Sequence, residues 1–133
     1  MKRRLIRVAF AAVLVASALT EASSQTLQLS RVMREKLQQS QGLLAALVTS
    51  DWNELARRSR ALESLTRDPA WAVMNAPEYS RHAVGFLRAT EDLIDAAERH
   101  DLEGAPLAYV AVTLSCVRCH QAVARSRLAS PAP

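Results

Sequence analysis

Apolar residues recur at three- and four-residue steps from Leu29 to Val123, and no stretch of the 133-residue chain alternates apolar with polar side chains. That period belongs to helices with one buried stripe, so strands are excluded and an all-α fold is expected. The punctuation divides the pattern into four segments. A first helix is expected over 26–49, with Leu29, Met33, Leu37, Ser40, Leu44 and Leu47 on its inner stripe and Arg31, Arg34, Glu35 and Gln38 off it. Gly42 interrupts this stripe, which marks a close approach by another element. Ser50-Asp51 followed by Glu54 reads as an N-cap, and it opens a second helix through Trp52, Leu55, Ser59, Leu62 and Leu65 that Asp68-Pro69 stops.

The stretch from Pro69 to Ala76 is the longest connection, and its Trp71 and Met74 are expected to pack it onto the helices. Pro77 suits the first position of a third helix, and Glu78 in its first turn complements the helix dipole. Its inner face is Tyr79, Ala83, Phe86, Thr90, Leu93 and Ala97, and it closes at Arg99-His100. Asp101 can cap a fourth helix, with regular hydrogen bonding delayed to about Gly104 by Pro106. On that helix Tyr109, Thr113, Cys116, His120 and Val123 face inward, and Val110, Leu114 and Val117 pack against neighbours. Short connections then give an antiparallel up-down-up-down four-helix bundle in which the first and fourth helices are adjacent.

The fourth segment carries the chemistry. Cys116-Val117-Arg118-Cys119-His120 is a C-x-x-C-H run, the attachment site of a c-type haem. Two thiols can add to the two vinyl groups of a haem while the adjoining imidazole binds its iron. On a helix, positions i, i+3 and i+4 share a face, so all three groups point at one cofactor. Other uses of the cysteines fit less well. A thiol redox pair belongs beside a strand in a βαβ unit. A structural zinc site needs four ligands, and the chain has only two cysteines, with His82 and His100 far off in sequence. A disulfide between Cys116 and Cys119 is poorly matched to helical geometry.

Lys2, Arg3, Arg4 and Arg7 precede an apolar run from Val8 to Ala18, the pattern of a secretory signal and too short to span a bilayer comfortably. Residues 1–22 are expected to be removed, with cleavage after Ala22, or after Ala18 as the competing choice. Removal takes away four basic residues and Glu21, which lowers the net charge from +4 to +1. The basic character is thus mostly a property of the signal, and no nucleic-acid partner is expected. Residues 23–133 suit one domain, with 129–133 a disordered tail.

A signal peptide, four helices and C-x-x-C-H in the last of them make the chain resemble the cytochrome c prime superfamily, the class II c-type cytochromes. Class I cytochromes c carry the motif near the N-terminus and fit poorly. The resemblance covers the whole mature chain and implies one haem c, with Cys116 and Cys119 as its thioether anchors and His120 as the proximal iron ligand. Low-spin members of the family take a methionine from the first helix as sixth ligand, and Ser30-Arg31-Val32-Met33-Arg34 is similar to that pattern, which makes Met33 the candidate. A thioether there raises the iron's potential, although a methionine on a buried stripe also serves as plain core. Arg31, Arg34, Arg118 and Arg125 are candidate partners of the haem propionates, Arg31 foremost.

The expected function is periplasmic electron transfer between redox partner proteins, without enzymatic chemistry of its own. The alternative is a five-coordinate haem that binds nitric oxide or carbon monoxide, with Met33 only lining the distal side. A peroxidase is poorly supported, because His82 is the only further histidine near an inner face and is better read as partly exposed. Dimers are common in the family, so a homodimer is compatible with the resemblance, and signal cleavage implies a protein that is not integral to the membrane.

Overall fold

The computed structural model describes the backbone of residues 2–70 and 77–129 and the side chains of residues 24–70 and 79–126. Those residues form four helices and no strand: α1 Lys2–Thr49, α2 Trp52–Leu65, α3 Pro77–Glu98 and α4 Gly104–Ala129. The three later helices begin where the punctuation predicts. α1 differs, because it continues without a break back through the segment expected to be an export signal. Trp71, Met74 and the end of the tail lie outside the described residues.

Two of the turns share one construction. At the end of α1 the amides of Ser50 and Asp51 donate to the carbonyls of Leu47 and Ala46, at 3.2 and 2.9 Å. At the end of α3 those of His100 and Asp101 donate to Ala97 and Ala96, at 3.1 and 2.9 Å. These are Schellman closures, which place the residue after the cap in the left-handed region. Ser50 and His100 occupy it with φ of 54° and 53°, although neither is glycine. The aspartate that follows then starts the next helix. Asp51 Oδ1 accepts from the amide of Glu54 at 3.0 Å, and Asp101 Oδ1 accepts from Gly104 at 2.8 Å.

α1 packs along α2, α2 along α3 and α3 along α4, while α1 meets α4 over a shorter stretch. The core is built from Leu43, Leu55, Leu62, Phe86, Leu93 and Val112, with alanines filling the space where α3 faces α4. Ala89, Ala96 and Ala97 on one side and Ala105 and Ala108 on the other are all buried, and such small side chains let two helices come close. Ser59 and Thr90 are fully buried and satisfy their hydroxyls within their own helices, on the carbonyls of Leu55 and Phe86 at 2.8 and 2.9 Å.

The inner faces of α2 and α3 are those read from the sequence. On α1 the buried positions are instead Val32, Lys36, Leu43 and Ala46, one residue round the helix from the expected stripe, and Leu37 and Leu44 are 60% and 50% exposed. On α4, Val110, Leu114 and Val117 are about half exposed rather than buried, Val117 at the pocket, and Ala105, Ala108, Val112 and Ala122 are the buried positions. By length and composition alone, Gly104–Ser126 would be long and apolar enough to cross a membrane. Gly42 does mark a close approach, by the Arg58 guanidinium of α2, which would meet any Cβ placed there.

Candidate functional site

Cys116, Cys119 and His120 lie on the continuous helix α4, so the three groups follow one another along a single face. Both thiols are free and half-buried. The face they form is one wall of a pocket of about 460 Å³, a volume typical of cofactor and ligand sites. α1 supplies the facing wall through Met33, Lys36, Leu37 and Ser40. α3 closes a third side with Tyr79, His82, Ala83 and Phe86.

The stripe expected on α1 is therefore the pocket face, not the core face: Met33, Leu37 and Ser40 belong to it, and the exposure of Leu37 is partly exposure to this space. Two hydrogen bonds hold the walls at their separation. Tyr109 of α4 donates its hydroxyl to the Ser40 carbonyl of α1 at 3.3 Å. Farther along α4, the hydroxyls of Tyr79 and Ser126 lie 2.9 Å apart and tie α3 to it.

Charge in the pocket is sparse, since no aspartate or glutamate is among the described residues that line it. Lys36 is the exception to its apolar character. This lysine is only 8% exposed, and its Nζ sits 3.8 Å from the centroid of the Phe86 ring, a cation–π contact between α1 and α3. Burial pulls its ammonium down from the ordinary lysine value to about 8, partly offset by the two cysteines across the pocket. Burial also pushes both thiols up, against the opposing pull of the Lys36 charge. Neither cysteine is thus held as a thiolate by this environment.

The sequence-derived residues divide on this geometry. Met33, Cys116, Cys119 and His120 come together around one space, and His82 joins them from α3. Arg31 does not line the pocket. Its guanidinium is turned to Asp68 at 2.8 Å and to Glu35 at 3.3 Å, with more than half of the side chain in solvent. Lys36 was not singled out in the sequence, although Val32, Lys36, Gln39, Leu43 and Ala46 also make a helical stripe; its two polar members concealed it.

Two thiols, an imidazole and a thioether around a largely apolar cavity are a donor set that fits haem. Among the described residues no three His, Cys, Asp or Glu side chains converge to hold a metal ion by themselves. A haem does not need them to, since its macrocycle supplies four nitrogens and the protein only the axial ligands. Comparison of the chain with protein-family models, with curated proteins and with solved structures yields no match.

Proposed function

We propose that this chain is an exported monohaem c-type cytochrome of the class II kind, an antiparallel four-helix bundle that carries electrons between partner proteins on the periplasmic side of a bacterial membrane. The observation that carries the reading is the meeting of the C-x-x-C-H face with Met33 across one apolar pocket. The basic, apolar N-terminus supports export, and export supports covalent haem attachment.

In this reading Cys116 and Cys119 would hold the haem to α4 through thioether bonds, and His120 of α4 and Met33 of α1 would be the residues that ligate its iron. Haem supplies an iron that takes up and gives up one electron. The chain's own contribution would be to hold the imidazole and the thioether on two packed helices, to exclude water with Phe86 and Ala83, and to favour the reduced iron through the thioether.

One observation favours the gas-binding alternative. Leu37 lines the α1 wall beside Met33 and Phe86 the adjoining α3 side, so apolar side chains would face the iron even without thioether ligation. The visible spectrum of the haem-matured ferrous protein, before and after carbon monoxide, separates the two. A low-spin spectrum indifferent to the gas is expected for the electron carrier. A high-spin spectrum converted by the gas would make the chain a gas-binding protein. Purification without haem from a host that matures c-type cytochromes would end both readings.

A further inference from the structure

Met33 has a neighbour on its own wall that the reading above leaves without a role. Lys36 is three residues along α1, close to one turn, and residues so spaced stand about 5–6 Å apart at Cβ on the same side of a helix. Both side chains line the pocket that Cys116, Cys119 and His120 face. Lysines are almost never buried this deeply, yet this one is held inside the pocket, against Phe86, rather than extended to solvent.

Resting on the haem reading, we propose that Lys36 is a second distal donor, whose amine takes the sixth position on the iron when the Met33 thioether does not. In the exchange the iron–sulfur bond to Met33 breaks, a bond to the Lys36 nitrogen forms, and the ammonium proton passes to water; no electron is transferred. The two donors differ in hardness. A thioether suits ferrous iron, while an amine is the harder donor and is preferred by ferric iron. Oxidation state therefore selects between them. Burial favours the uncharged amine, which lowers the cost of giving up the proton.

His82 reaches the same pocket from α3 and is the competing nitrogen donor. The test uses the full-length, haem-matured protein and reads the spin state of the ferric form by electron paramagnetic resonance, with carbon monoxide uptake by the ferrous form as a second readout. Met33→Ala is expected to remain low-spin with a nitrogenous ligand in the ferric state. Adding Lys36→Leu, which removes the amine but keeps an apolar side chain, should convert the ferric form to high-spin, while the ferrous forms of both variants take up the gas. Adding His82→Ala to Met33→Ala should leave it low-spin.

A high-spin Met33→Ala single variant would overturn the proposal, as would a Met33→Ala/Lys36→Leu protein that stays low-spin until His82 is also replaced. Either result leaves haem attachment standing. Absence of haem from the unmutated protein would instead remove the parent reading.

Discussion

The Trp52 indole stacks on the His100 imidazole, ring centroids 5.4 Å apart and planes 15° from parallel. Trp52 opens α2 and His100 follows α3, so the stack ties together the two turns that are built alike. Trp52 also packs against the core cluster, whereas His100 is largely exposed. Trp52→Ala is expected to cost about 3 kcal/mol, in the lower range for removal of a large aromatic. His100→Ala should cost about 1 kcal/mol, the worth of an aromatic pair beyond its buried area. Urea unfolding of the two variants gives both numbers, and equal losses would mean that the stack, not the core contact, carries the effect of Trp52.

The matching turns predict different outcomes for one substitution. Ser50 is exposed and sits at φ 54°, a conformation that disfavours any residue with a Cβ. Ser50→Gly should therefore stabilise the protein by about 1 kcal/mol. His100→Gly relieves the same strain at φ 53° but removes the stack, so its net change should be close to zero. A thermal melt of each variant is sufficient.

Acid should act partly through Glu54. Its carboxylate accepts from Arg57 at 2.8 and 2.5 Å and from Arg58 at 2.6 Å. The Arg57 bonds foremost, with Arg58 beside them, hold its carboxyl down to about 2 from an ordinary 4.5. A depressed folded-state pKa contributes stability that is complete above the unfolded value and is lost as pH falls from about 4.5 toward about 2. Glu54→Gln should accordingly flatten the fall in melting temperature across that window and change little in its shape above pH 6. Asp68, held low by the Ala70 amide and then by Arg31, keeps a residual slope in the variant.

The two cysteines should be separable by a chemical test of attachment. On the proposed haem reading, replacing either Cys116 or Cys119 by Ala would leave one thioether, so the haem should still resist extraction by acidified organic solvent. Replacing both should release it. Retention of extractable haem by the double variant would show that His120 and the pocket bind it unaided; its retention in covalent form would exclude these thiols as the anchors.

The helix boundaries from the end of α1 onward were legible because they rest on local chemistry. Asp51, Asp101, Pro69 and Pro77 act on the backbone within a few residues, and the structure starts and stops its helices beside them. The left-handed closures at Ser50 and His100 were not legible, because no glycine announces them. Tertiary packing overrides the preference of both side chains. That Cys116, Cys119 and His120 share a face was readable from motif and helical spacing, and Met33 was added to them by the family resemblance, whereas the position of Lys36 was not readable, since lysine at a stripe position ordinarily extends to solvent.

Local sequence thus determined where α2, α3 and α4 begin and that the two thiols and the imidazole share one face, because capping and a 3.6-residue repeat need no partner to operate. Which side of α1 is core and which is pocket was decided only by the tertiary structure. Val32, Leu37, Leu43 and Leu44 give that helix apolar residues on more than one side, so its own period cannot choose between them. The choice is made by packing along α2 and into the core, which buries Leu43 and Ala46 and leaves Met33, Leu37 and Ser40 to line the pocket with α4.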